Sequence, residues 1–238
     1  MTEKTETVPT LTSEEMLNLF GVLSHDLKSP IFSIDGFSEL LQSDYADKLD
    51  EDGRDFLARI RSSVGHMKRT LDEMSHVVKL LSRPQVIGPV ALKDLFEEIR
   101  LRFANLIDEG KVDVRIPEDL PVINSDPERL REAISALFSN ALTFTDRGAG
   151  ERIVEVTTDR ADGEFRLCVR DNGLGFEMKY GAQIFDLGLK LDKQRGTGPG
   201  YGLFVAKRIS EGLGGTIEMD STPGEGSRFC LNLPDRSS

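Results

Sequence analysis

The chain has 238 residues, room for one large domain or two modest ones, and its apolar and charged fractions, 38% and 30%, are those of an ordinary globular protein. A net charge of −11 argues against nucleic acid or an anionic membrane as the main partner, because phosphates reward basic patches. No apolar run approaches the ~20 residues of a membrane helix, and the polar stretch Met1 to Thr12 lacks a signal-peptide core, so the expectation is a cytoplasmic chain with no direct membrane span.

Residues 1–12, rich in Thr and Glu, read as a flexible leader. Ser13 then precedes two glutamates and an apolar rhythm, a helix start. The rhythm runs Met16, Phe20, Leu23, Leu27, Pro30, Ile34, Phe37, Leu41, in alternating steps of four and three. This is a heptad seam with one proline standing in it. Asp44 to Gly53 reads as a turn, and a second seam follows: Phe56, Ile60, Val64, Met67, Leu71, Met74, Val78, Leu81. Two long helices with a short connection predict an antiparallel hairpin over 13–83. Two helices cannot bury both seams alone, whereas two copies can, as a four-helix bundle, so the pattern predicts a homodimer.

Arg83-Pro84 and Gly88-Pro89 break the pattern and predict a linker over 84–89. Beyond it the texture changes. Leu92 to Ile107 reads as a helix and Val112 to Ile116 as a half-buried strand; Pro121-Val122-Ile123 suggests a second, short strand. Asp126-Pro127 opens a helix carrying Leu130, Ile134, Leu137, Ala141 and Phe144. Strands are expected at Ile153 to Thr157 and Phe165 to Val169, a helix near Leu203 to Gly212, and final strands at Gly215 to Met219 and Ser227 to Leu233. Strands with helices grouped between them predict an α+β two-layer sandwich over 90–234, with 235–238 a tail. Cys168 and Cys230 are too few for a disulfide framework and lack the partners of a zinc site, so they read as small core residues in strands.

Three features carry chemistry. The heptad register places His25, in "LSHDLKSPI", on the face turned away from the seam, into solvent. Asp26 beside it can orient or deprotonate the imidazole, leaving one ring nitrogen as a nucleophile. Pro30 removes a backbone hydrogen bond nearby and loosens that turn. His66 and His76 lie at outward positions without the i, i+4 partners of a metal site, and read as solvated. Next, "DNGLGF" at Asp171 to Phe176 follows a strand, and "GTGPGYGL" at Gly196 to Leu203 runs into a helix. Glycines allow close approach of backbone to a ligand, and a glycine-rich turn at a helix N-terminus offers N–H groups to phosphate. Neither stretch is a Walker loop or a dinucleotide fingerprint. The carboxylate of Asp171 can accept a hydrogen bond from an exocyclic amine, as adenine has. Last, Asn140 stands mid-helix, where asparagine is a poor helix former, and its amide oxygen can ligate Mg²⁺ that bridges nucleotide phosphates.

Taken together, these stretches resemble the sensor histidine kinases of two-component signalling, in order, over Ser13 to Leu233. "SHDLKSP" is similar to the family's phosphoacceptor box, "FSNALTFT" to its N box, "DNGLGF" to the first glycine box, "IFDLG" at Ile184 to Gly188 to the phenylalanine box, and "GTGPGYGL" to the second glycine box. The resemblance implies a dimeric helical phosphotransfer domain followed by a Bergerat-type ATP-binding domain. It implies His25 as phosphoacceptor with Asp26 as its acid, and Asn140 in the magnesium position. It implies ATP held by Asp171, Gly173, Gly175, Phe185, Gly196, Thr197, Gly198, Gly200, Gly202 and Leu203, with Lys190 and Arg195, and also Lys193, available to phosphates. The implied activity is ATP-dependent phosphorylation of His25, followed by transfer to an aspartate of a response-regulator receiver domain. An input from a separate sensor or activator protein, or from the rest of a longer chain, is expected.

The departures from the family pattern are Ala136 and Thr143 around Asn140, Pro199 and Tyr201 between the second-box glycines, a short lid segment, Asp186 to Arg195, without a second phenylalanine, and Ser29 four residues after the histidine. They keep a second reading open, a phosphotransfer or scaffold protein that relays phosphoryl through His25 and whose ATP site has degenerated. A nucleotide-binding regulator of the anti-sigma type ranks last, because it has no use for the hairpin that carries His25.

Overall fold

The computed structural model describes residues 13–145, 150–161, 163–181, 183–186 and 200–236. The expected leader, 1–12, and the last two residues of the expected tail lie outside them. The chain divides into two compact units, Met1–Arg83 and Pro84–Ser238.

The first unit is a helical hairpin. Helix α1 spans Ser13–Asp44 and runs on through Pro30. Helix α2 spans Glu51–Ser82. It starts where Asp50 caps it, the carboxylate accepting from the Gly53 N–H at 2.8 Å. It stops at Arg83, which is extended (φ −75°, ψ 152°), as a residue before proline prefers to be.

Of the two seams read from the sequence, the hairpin buries Val64 and Leu71 of the second and leaves the described positions of the first exposed. Its buried face is Ser24, Ile31 and Ser38 of α1 against Leu57, Val64 and Leu71 of α2, each set spaced by sevens. Ile31, Val64 and Leu71 form one cluster. Ser24 and Ser38 are small, so this flank of α1 receives the larger α2 side chains. Leu23, Leu27, Ile34, Phe37, Leu41, Phe56, Ile60 and Met67 are left exposed. The side chains of Met16 and Phe20 lie outside the described residues. Two ion pairs flank the cluster, Lys28–Asp72 at 3.1 Å and Lys68–Asp35 at 2.8 Å.

The second unit is a two-layer α/β sandwich. Its elements are β1 (Gly88–Ala91), α3 (Leu92–Arg102), α4 (Ala104–Gly110), β2 (Val112–Arg115), β3 (Val122–Ser125), α5 (Pro127–Phe144), β4 (Arg152–Ala161), β5 (Glu164–Asp171), α6 (Gly202–Gly212), β6 (Thr216–Thr222) and β7 (Gly226–Pro234). Five strands form a mixed sheet in the order β2-β4-β5-β7-β6, with β2 parallel to β4 and the other pairs antiparallel. β1 and β3 make a small antiparallel pair of their own. Gly88 and Pro89, read as breaks, thus form the start of an edge strand, where proline is tolerated. The single helix expected over 92–107 is divided at Phe103, whose ring meets that of Phe138 on α5 at 6.0 Å.

Side chains alternate across the sheet, and the register aligns them in rows. Val156, Val169 and Phe229 make one buried row, and Leu167 and Leu231 sit in the next. Both rows share the face covered by α5 and α6. The row at the sheet's end keeps the same parity but turns polar: Val154, Asp171, Ser227, Ser221, all buried.

The opposite parity carries a correction. Cys168 faces Cys230 across β5 and β7 and is joined to it by a disulfide, in a row that ends on exposed Glu218. Both cysteines are buried strand residues, as expected, but the pairing was not. No described helix is long and apolar enough to cross a membrane.

Candidate functional site

His25 stands on α1 with its side chain 87% exposed, beside Asp26 at 71%. Its Nδ1 lies 3.2 Å from the Asp26 carboxylate. A proton on Nδ1 donated to that carboxylate leaves the lone pair on Nε2, which faces solvent. His66 and His76 are also exposed. Among the described residues, no cluster of His, Cys, Asp or Glu is arranged to hold a metal.

The glycine-box site is assembled where the C-terminal end of α5 meets the end of β5. Asp126 caps the start of α5, accepting from the Arg129 N–H at 3.1 Å. The helix buries Leu130, Ile134, Leu137 and Ala141 and presents Asn140, half-buried, one turn before its last residue. Among the described residues, nothing bonds the Asn140 amide. Asp171 is the last residue of β5 and 1% exposed. Its Oδ1 accepts from the Gly173 N–H at 2.8 Å.

The turn after Asp171 leaves no room for side chains. A Cβ on Gly173 would lie 1.9 Å from the Phe144 carbonyl oxygen; one on Gly175, at φ +58°, would lie 2.0 Å from that of Thr222. The approach is fixed by Leu174 N–H donating to Phe144 O at 3.0 Å, and by Phe176 N–H donating to Ser221 Oγ at 2.9 Å. Sequence reasoning missed Asn172. Its Oδ1 accepts from Ile153 N–H at 3.0 Å and from Thr145 Oγ1 at 3.1 Å, and its Nδ2 donates to Glu151 O. It ties the first glycine turn to β4 and to the end of α5. The signal was present in "DNG", since asparagine before glycine bonds backbone in turns.

Phe185 is buried, edge-on to Phe229 at 6.3 Å, with the Lys207 ammonium 5.5 Å above its ring. Phe176 covers the same Phe229 ring at 6.3 Å. Gly200 adopts φ +82°, Gly202 is the first residue of α6, and Leu203 is half-buried. The first N–H groups of a helix have no intrahelical partner, so this end can receive phosphate. Ala136 lies opposite: a Cβ on Gly202 would be 3.7 Å from that of Ala136. Thr143 donates its hydroxyl to Ser139 O, one turn back, at 2.7 Å. Lys190, Lys193, Arg195, Gly196, Thr197, Gly198 and Pro199 lie outside the described residues.

Comparison with known families accounts for both parts of this arrangement. The His Kinase A (phospho-acceptor) domain matches residues 15–83, and the histidine kinase-, DNA gyrase B- and HSP90-like ATPase domain matches residues 125–237. The chain belongs to the sensor histidine kinases. Among curated relatives, it is 33% identical to the sensor protein DivL of Caulobacter vibrioides over 90% of this chain and 27% of that protein. It is 31% identical to cyanobacterial phytochrome B of Nostoc sp. over 94% of this chain and 30% of that protein. The chain thus spans less than a third of the length of those relatives. Among solved structures, full-length ShkA in complex with AMPPNP matches with a TM-score of 0.72 and 25% identity, over 93% of this chain and 46% of that one. The histidine kinase AdeS of Acinetobacter baumannii shares the fold with a TM-score of 0.61 at 20% identity, over 90% of this chain and 98% of that one.

Proposed function

We propose that this chain is the catalytic core of a two-component histidine kinase, which transfers the γ-phosphoryl group of ATP to His25 and then to an aspartate of a response-regulator receiver domain. The observation that carries the reading is the solvent-facing His25–Asp26 pair, borne on the same chain as the buried Asp171 beside its side-chain-free glycine turn.

The residues fit the nucleotide. Asp171 offers a buried carboxylate to the exocyclic amine of adenine, and Gly173 and Gly175 let the turn beside it pack against the backbone of Phe144 and Thr222. Gly200, Gly202 and the N-terminus of α6 suit the phosphates, with Gly196, Thr197, Gly198, Lys190 and Arg195 as further candidates. Mg²⁺ is commonly bound by one or two protein oxygens and by substrate phosphates, so the unbonded amide of Asn140 suits it without an acidic cluster. When bound, the ion would neutralise charge on the phosphates.

The chemistry of this chain's own groups follows. Asp26 holds the proton on Nδ1 of His25. The Nε2 lone pair attacks the γ-phosphorus in line, the bond to the β–γ bridging oxygen breaks, and ADP leaves. Phe32 stands seven residues beyond His25, two turns along the same face, and 57% exposed, where an incoming receiver can pack. The exposed seam of Leu23, Leu27, Ile34 and Phe37 supports a homodimer through the hairpin. The fit of Ala136 against Gly202 supports reading that departure as packing rather than as decay of the ATP site.

The test is incubation of the purified chain with γ-labelled ATP and Mg²⁺, beside His25→Gln and Asn140→Ala. Acid-labile, alkali-stable label in the wild type, absent from both variants, is expected. A wild type that binds ATP yet takes no label, while a control kinase labels, would favour the relay reading.

A further inference from the structure

The segment that leaves α2 is fastened to the ATP-binding unit by two residues of the predicted linker. Val86 donates its N–H to Oδ2 of Asp126 at 2.9 Å. The other oxygen of the same carboxylate accepts from the Arg129 N–H at 3.1 Å and caps α5. Gln85, one residue earlier, donates its side-chain amide to the carbonyl of Gly212, the last residue of α6. The connecting segment is therefore tied to the first turn of α5 and to the last turn of α6. Those two helices carry Asn140 and the last two residues of the second glycine box, Gly202 and Leu203.

Asp126 is 0% exposed. Val86 itself is 65% exposed, so the buried member of the bond is the carboxylate; hydrogen bonds to a carboxylate are stronger than neutral ones, and a buried carboxylate that loses a donor is left less satisfied. A helix moves as a rigid element, so a displacement of its first turn reaches Asn140, about 20 Å along α5.

We propose that Asp126 is a positioning residue that clamps the segment following the phosphoacceptor hairpin to α5, so that the placement of this segment sets the placement of the Asn140 end of the nucleotide site. The proposal rests on the nucleotide reading above. It concerns the rate of phosphoryl transfer rather than the affinity for nucleotide, because a shift of α5 moves Asn140, on the phosphate side, while Asp171, proposed to hold the base, stands on β5.

Asp126→Asn separates the two bonds. Asparagine caps a helix as well as aspartate does. It has a single acceptor oxygen, however, and its NH₂ group would face the Val86 N–H, donor against donor. In the full chain, the variant is expected to melt within a few degrees of wild type. Exchange of the Val86 amide should rise about tenfold or more, the effect of losing one charge-assisted bond. AMPPNP–Mg²⁺ affinity should stay within about threefold of wild type, while His25 labelling at saturating ATP changes by about fivefold or more. Gln85→Ala, which touches only the second tie, should shift the labelling rate in the same direction. It also keeps the test alive should Asp126→Asn not fold.

A labelling rate within about twofold of wild type, with Val86 exchange raised, would overturn the proposal. So would unchanged Val86 exchange. A wild type that binds no AMPPNP would remove the nucleotide reading and this proposal with it, and that failure shows in the wild type alone. If the wild type binds AMPPNP without labelling, Val86 exchange is read with and without AMPPNP. Slowing in the wild type but not in Asp126→Asn supports the clamp, and equal exchange overturns it.

Discussion

At Gly173 there is no space for even one carbon atom, because the Phe144 carbonyl occupies the place a Cβ would take. That carbonyl cannot retreat, since it accepts the Leu174 N–H and ends the helix that carries Asn140. Gly173→Ala is therefore expected to cost about 2 kcal/mol or more, as overpacking against backbone does, and to abolish nucleotide binding. Thermal melting and an AMPPNP titration check both; an alanine variant that binds normally would show that the turn is not tied to the site. A second residue makes a prediction about pH. Asp35 accepts a hydrogen bond from Lys68, and this bond holds its carboxyl below the ordinary value of 3.8. A lowered folded-state pKa means the ionised form is favoured by folding. Its contribution is thus complete above the ordinary carboxylate range and is lost as pH falls through the folded value. Titration of the Asp35 carboxyl carbon by NMR should give a midpoint under 3.8, moving up in Lys68→Met. A midpoint at the ordinary value in the wild type would dissolve the pair.

Among elements, what the sequence revealed and what it hid follow from the range of the forces involved. α5 was readable because Leu130, Ile134, Leu137 and Ala141 repeat at the helical period and face one sheet. β5 and β7 were readable because alternation follows from the pleat alone. β1 was not, since Gly88-Pro89 looks like a break and becomes a strand only through its register with Ser125 and Asn124. The role of Asn172 was likewise hidden, since its partners Glu151, Thr145 and Ile153 come together only when two strands and a helix meet. The cysteine pair is the strongest case. Cys168 and Cys230 are separated by 62 positions, and only the β5–β7 register sets them opposite one another. Closing a loop of that length removes unfolded-chain entropy worth roughly 4 kcal/mol at room temperature. The prediction is that thiol reagent finds no free cysteine in the denatured, unreduced chain. Reduction, or the double change Cys168→Ser with Cys230→Ser, should lower the unfolding midpoint of the ATP-binding unit while leaving hairpin helicity intact. Two titratable thiols in the unreduced chain would refute the bridge.

On the scale of the molecule, the hairpin's apolar stripe is wider than the part it buries internally. Ile31, Val64 and Leu71 satisfy the contact between α1 and α2. Leu23, Leu27, Ile34, Phe37 and Leu41 remain in water along α1, with Phe56, Ile60 and Met67 along α2. A contiguous apolar stripe of this kind marks an interaction surface in a soluble protein. Burying it gains about 25 cal/mol for each Å² removed from water. Its heptad spacing matches a second helical hairpin better than a flat surface, and a second copy presents the same stripe, as a two-fold interface requires. Ile34→Glu places a charge in the middle of that stripe and leaves the buried side chains Ile31, Val64 and Leu71 themselves unchanged. Sedimentation equilibrium of the wild-type chain is expected to give twice the mass of one chain at micromolar concentration, and Ile34→Glu the mass of one. Circular dichroism of the variant should keep the hairpin's helical signal, because Ile34 is exposed and is not one of the buried residues of the internal cluster. Ile31→Glu supplies the contrast: it strikes the internal cluster, so helicity and dimer should fall together. If Ile34→Glu left the mass unchanged, or if the wild type sedimented as a single chain at every concentration, the stripe would need another occupant.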